Sequence, residues 1–125
     1  MPFTLSVDLK SGVPLYRQII DQVKSGIATG ALGPGDRLPT VRQLSVDLSV
    51  NPNTVSRAYN ELELTGLVET HMGSGTFIGN RQVERDDVER RRILDQICQE
   101  FLSRASSHGF TLDDLVDNLT QRQSR

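Results

Sequence analysis

Asn53, Thr54, Ser56, Arg57 and Asn60 interleave with the apolar residues Val55, Ala58, Tyr59 and Leu62. On a helix the two sets fall on opposite faces. The polar set is suited to nucleic acid: an Asn amide or an Arg fork makes paired hydrogen bonds to an adenine or guanine edge, and Thr and Ser hydroxyls suit phosphate oxygens. Arg37, Thr40 and Arg42 come shortly before this stretch and are expected to bind nucleic acid with it, the two arginines as phosphate contacts. His71, at the end of an expected strand, and Gly73 and Gly75, in the turn after it, are expected at the same nucleic-acid face, where glycines let a backbone approach a ligand closely. A plainer reading stands beside this one. Polar residues also make solvated helix faces, and Gly73 and Gly75 are equally well explained as hairpin-turn residues.

Other constellations carry less. Gly73-Ser74-Gly75-Thr76 echoes a phosphate loop, but no lysine follows it and a strand rather than a helix is expected next. His71 and His108 lie far apart without metal-ligand spacing, so no metal is expected. Cys98 falls on an apolar helical stripe and reads as core. Asp113, Asp114 and Asp117 match a helix N-terminus and its dipole better than a metal site. No catalytic residue and no cofactor is expected, and the chain reads as a non-enzyme.

The elements that would position the polar set follow from periodicity and caps. Phe3, Leu5, Val7 and Leu9 alternate with Thr4, Ser6 and Asp8, which predicts a half-buried strand. Pro14 suits the first position of a helix whose apolar face is Leu15, Tyr16, Ile19, Ile20, Val23 and Ile27, and which Gly30 ends. Thr40 and Gln43 have capping-box spacing ahead of a short helix with Val41, Leu44 and Leu48 inward. Ser49-Val50 makes a tight connection, Asn51-Pro52 opens a third helix, and Gly66 ends it. Strands at 67–71 and 76–78 around a Gly-rich turn predict a β-hairpin. The expected fold is α+β and mostly helical, with a winged helix-turn-helix over residues 1–80. Its core would come from Leu15, Ile19, Val23, Leu44, Val55, Tyr59, Leu62 and Phe77, and its third helix would fit a major groove about 12 Å wide.

From Gln82 the composition changes. A mixed charge run, Glu84 to Arg92, reads as a solvated helical face, followed by an apolar stripe of Ile93, Leu94, Ile97, Cys98, Phe101, Leu102 and Ala105. Gly109 ends that helix. Thr111 with Asp114 caps a last one, Phe110 and Leu115 have the spacing of a hydrophobic staple, and Leu112, Leu115, Val116 and Leu119 form its apolar face. Two helices hide only part of such surfaces against each other, so residues 81–125 are expected to form a two-helix dimerisation tail. Its expected contacts are Leu94, Ile97, Cys98, Phe101, Leu102, Leu115 and Leu119.

The whole chain has 125 residues, with 14 Lys and Arg against 16 Asp and Glu, for a net charge of −2 and a pI near 5.6. That length allows one small domain and an appendage, and about half of what a barrel enzyme needs. The acidic balance excludes a globally basic nucleic-acid coat and leaves room only for a local basic face. One cysteine excludes an intrachain disulfide and fits a reducing cytosol. The first residues lack the basic stretch and apolar run of a signal peptide, and no apolar run reaches the length of a membrane span. A cytoplasmic location without membrane partners is expected.

Pro14-Leu-Tyr-Arg-Gln-Ile and Leu32-Gly-Pro-Gly-Asp-Arg-Leu-Pro-Thr-Val-Arg-Gln-Leu closely resemble the start of GntR-family transcriptional regulators. Val50-Asn-Pro-Asn-Thr-Val-Ser-Arg-Ala-Tyr-Asn-Glu-Leu-Glu, Thr65-Gly-Leu-Val-Glu and Gly73-Ser-Gly-Thr-Phe-Ile continue the match, over roughly residues 11–79. The Asn-Pro-Asn-Thr-Val form and the short tail look like the YtrA subfamily. The resemblance implies a dimeric bacterial repressor on an inverted-repeat, double-stranded DNA operator. It places Arg37, Arg42, Asn53, Thr54, Ser56, Arg57, Gly73 and Gly75 near DNA. Pro52 stands where many members have arginine, so their base-reading pattern does not transfer, and Arg57 becomes the expected base or phosphate contact of the helix. The tail is too short to enclose a ligand pocket, so any small-molecule effector would bind at the dimer interface. The alternative reading is a winged-helix protein-interaction module without an operator.

Overall fold

The computed structural model describes residues 3–79 and 87–123. The expected boundary at Asn80, and Glu84, Arg85 and Asp86 of the charge run, lie outside the described residues. The chain divides into two compact units, Met1–Arg81 and Gln82–Arg125.

The first unit begins with an extended segment that does not become the expected strand. Its burial does alternate: Phe3, Leu5 and Val7 are half-buried while Thr4, Ser6 and Asp8 are exposed, but Leu9 is 79% exposed. Among the described residues no strand pairs with it. It runs along the first helix instead, and two glutamines of that helix take the place of a ladder. Ser6 N–H donates to Gln22 Oε1 at 3.0 Å and Gln22 Nε2 donates back to the Ser6 carbonyl. Asp8 N–H donates to Gln18 Oε1 at 2.8 Å, and Gln18 Nε2 returns a bond to the Asp8 carbonyl at 3.0 Å. Period two fixed which side chains turn inward; what met the backbone was a helix.

Helix α1 spans Leu15–Thr29, with Pro14 at its N-cap rather than in its first turn, and Gly30 in the left-handed conformation closes it. Helix α2, Val41–Leu48, carries the expected reciprocal cap between Thr40 and Gln43. Helix α3, Pro52–Leu64, starts from Asn51, whose side chain accepts from Asn53 N–H at 2.8 Å. Ser49, the turn residue between α2 and α3, holds φ 56°, a left-handed conformation unusual for a side-chain-bearing residue. Ser49 N–H bonds the Val46 carbonyl and Val50 N–H bonds the Ser45 carbonyl, so α2 ends in the paired bonds of a Schellman motif.

Three strands follow α1 and α3: β1 (Arg37–Leu38), β2 (Val68–His71) and β3 (Gly75–Ile78), in the antiparallel order β1-β3-β2. The hairpin was expected; β1 was not, because two residues show no period. Register decides which hairpin residue enters the core. Val68 pairs with Ile78, and both are buried, whereas Phe77 pairs with Arg37 and Glu69. Phe77 therefore lies on the other sheet face, half-buried, with its ring 5.6 Å from that of His71. The core place expected for Phe77 belongs to Ile78. The core itself joins Ile19, Ile20 and Val23 to Leu44, Val55, Tyr59 and Leu62, with Leu38 and Val68 beneath the sheet.

The second unit is an αα-hairpin of α4 (Asp87–Ser107) and α5 (Leu112–Gln123). Gly109 at φ 79° and the bond from Phe110 N–H to the Ala105 carbonyl end α4. Thr111 and Asp114 exchange bonds across the start of α5, as their spacing predicts. Ala105 alone is buried among its described residues. Cys98, expected as core, is exposed. The cause is geometric: two short helices contact each other along one line, and the stripe around Cys98 is wider than that line covers.

Candidate nucleic-acid interface

Asn53, Ser56, Arg57 and Asn60 follow one another at helical spacing along α3, and Val55, Ala58, Tyr59 and Leu62 are buried behind them. Asn53, Arg57 and Asn60 are exposed and Ser56 is half-buried, as is Thr54 beside the stripe. The stripe spans about 10 Å of helix. Its orientation is fixed from behind: the Tyr59 hydroxyl donates to the Pro39 carbonyl at 2.7 Å, tying α3 to the β1–α2 junction. Burial pushes the Tyr59 phenol well above its ordinary value, so it remains a donor.

Arg57 is held on two sides. Its guanidinium carbon stands 3.8 Å from the centre of the Tyr16 ring of α1, and its Nε is 3.8 Å from Glu61 Oε1. The side chain is still 62% exposed. Sequence reasoning assigned Tyr16 to the apolar face of α1 and missed this contact, since it joins residues far apart in the chain.

Arg42 is exposed in the first turn of α2. Thr40, half-buried, spends its hydroxyl oxygen accepting from Gln43 N–H at 3.0 Å, so its position is that of a cap. Arg37 is exposed on β1, and the fold carries it to the hairpin: a β-carbon built at Gly75 would stand 3.1 Å from Arg37 Nε. The hairpin's own residues, 67–79, include no Lys or Arg. The structure supplies one from β1.

The hairpin tip is Met72-Gly73-Ser74, closed by Ser74 N–H on the His71 carbonyl at 2.9 Å, with Gly73 at φ 79° and Gly75 at φ 128°. Met72 is 96% exposed, a tip residue that sequence reasoning passed over. His71 sits 3.4 Å from Glu69 and against Phe77. Thr70 Oγ1 donates to Glu63 Oε2 at 2.9 Å, linking the wing to the end of α3. Among the described residues no cluster of His, Cys, Asp and Glu could hold a metal ion.

Arg57 thus stands on a polar-faced helix, and Arg37 of β1 is laid against the two-stranded wing beside it. The description "Bacterial regulatory proteins, gntR family" matches residues 15–78, more than half of the chain. A Bacillus subtilis relative named HTH-type transcriptional repressor YtrA is 49% identical over 96 residues, covering 76% of this chain and 74% of its own. The solved structure of YtrA from Sulfolobus acidocaldarius, a GntR-family transcription factor, is 33% identical with a TM-score of 0.55, and covers 94% of this chain and 95% of its own. The AraR DNA-binding domain in complex with operator ORR3 is 26% identical with a TM-score of 0.52, over 63% of this chain and 95% of that one. The chain thus belongs to the gntR family of bacterial regulatory proteins, as a YtrA-like winged-helix transcriptional regulator that binds DNA and is not an enzyme.

Proposed function

We propose that this regulator is a repressor that binds an inverted-repeat operator as a homodimer, with Arg57 and Asn53 facing base edges. Ser56, Thr54, Arg42 and Arg37 would face phosphates, and the backbone at Gly73 and Gly75 would approach the DNA closely. The observation that carries the reading is the polar stripe of Asn53, Ser56, Arg57 and Asn60, three of them exposed and Ser56 half-buried, on a helix whose other face is core. The repressor role draws on the name of the Bacillus subtilis relative. No described helix is long and apolar enough to cross a membrane, in keeping with work in the cytoplasm.

Homodimerisation rests on the second unit. Leu94, Ile97, Phe101 and Leu102 of α4 and Leu112, Val116 and Leu119 of α5 are all exposed, with Phe101 at 58% and Leu119 at 61%, while Leu115 is half-buried. That much apolar surface on so small a unit calls for a partner. A second tail is the simplest one, because a two-fold axis lets the same patch meet itself.

A gel shift against the protein's own promoter region at two salt concentrations tests the proposal. Retention of one duplex over a scrambled one, with affinity falling as salt rises, is the expected result. Equal weak binding to both duplexes at either salt favours the protein-interaction module and overturns the repressor reading.

A further inference from the structure

We propose that Tyr16 is a positioning residue for DNA recognition: its ring clamps the Arg57 guanidinium and sets the direction in which that fork meets the duplex. The proposal rests on the operator-binding reading above. Tyr16 lies in the first turn of α1 and is half-buried against the core, so its ring is fixed by packing. The guanidinium lies 3.8 Å from the ring centre. A cation in that place is attracted by the negative face of the ring. Contact through the ring face leaves the N–H groups, which lie in the guanidinium plane, available to a base edge or a phosphate. Glu61 at 3.8 Å is an exposed partner one turn further on and holds the arginine only weakly.

The direction of this one side chain matters because Asn53, Ser56 and Asn60, its companions on the stripe, carry no charge. An arginine held in advance loses less rotamer freedom when it binds, so the clamp acts on operator affinity more than on general attraction to phosphates. A merely structural tyrosine would need only apolar bulk between α1 and α3, and leucine supplies that. The ring's charge distribution is what leucine lacks and phenylalanine keeps.

The experiment uses the full chain as Tyr16→Leu, Tyr16→Phe, Arg57→Ala and the Tyr16→Leu/Arg57→Ala double variant. Each is titrated with the promoter duplex that the wild type protects in footprinting, and with a scrambled duplex of equal length. Tyr16→Leu is expected to lower affinity for the protected duplex about 2- to 5-fold and to change scrambled binding less. Tyr16→Phe restores the wild-type value, and the double variant matches Arg57→Ala alone. An upfield ring-current shift of the Arg57 side-chain Hε resonance in the free wild type reports the clamp directly. Its absence overturns the proposal even if Tyr16→Leu fails to fold. Equal effects of the two Tyr16 variants, equal losses on both duplexes, or losses that add to Arg57→Ala also overturn it. If Arg57→Ala abolishes discrimination and Tyr16→Leu leaves it intact, only the clamp falls. If the wild type shows no preference between duplexes, the operator reading falls and the clamp with it.

Discussion

The guanidinium of Arg37 lies against Gly75, close enough that a β-carbon there would stand 3.1 Å from its Nε and 3.4 Å from its Nη2. Glycine at φ 128° is what lets the side chain of β1 settle on the hairpin. The cation missing from the wing's own sequence is thereby placed beside the wing backbone.

Gly75→Val is therefore expected to weaken DNA binding in a folded protein. The substituted residue is strained at that φ, and its side chain displaces Arg37 while thickening the wing. Circular dichroism checks the fold and a gel shift checks affinity; a folded variant with unchanged affinity makes the wing a bystander.

Arg57→Ala should cost about 1–3 kcal/mol on the operator and less on unrelated DNA, as a base-reading contact does. Arg37→Ala and Arg42→Ala should weaken all duplexes alike and flatten the salt slope by about one unit each. Fluorescence anisotropy across a salt series separates the two patterns, and equal losses on operator and random DNA for Arg57→Ala reject base reading.

Phe101→Glu places a charge in the exposed stripe of α4 and should turn the full chain into a monomer by analytical ultracentrifugation. Linked heads reach the second half-site at high effective concentration, commonly worth a factor of about 10²–10⁴, so operator affinity should fall with the dimer. A dimeric Phe101→Glu protein with full affinity would refute the role given to residues 81–125.

Stability should fall on the alkaline side through Tyr59. Burial raises its folded-state phenol above the ordinary value of 10.0, so the neutral form is the one the fold favours. That contribution is complete below about pH 10 and is lost as pH rises beyond it, because the unfolded chain then ionises first. Tyr59→Phe should flatten this alkaline decline. At neutral pH it should cost about 1 kcal/mol, through the lost bond to the Pro39 carbonyl. Urea midpoints of the two proteins across the pH series decide it.

Local grammar was legible in the sequence because its partners lie within a few residues. The Thr40–Gln43 and Thr111–Asp114 caps, the Asn51-Pro52 start of α3 and the buried faces of α1 and α3 all follow from spacing along one helix. The polar stripe from Asn53 to Asn60 was legible for the same reason: once Val55, Tyr59 and Leu62 are inside, its side of the helix is decided. The tertiary structure decided what meets what across the chain. The alternation of Phe3, Leu5 and Val7 told which side chains turn inward, but the partner of that backbone was a pair of glutamines on α1. Ile78 rather than Phe77 enters the core because β3 pairs Ile78 with Val68, a register set by packing rather than composition. Arg37 reaches Gly75 through the pairing of β1 with β3, and Arg57 reaches Tyr16 because α3 packs on α1. Periodicity records which face of an element is apolar; only the closing of the chain brings two distant faces into contact, and the positions of both arginines depend on that closure.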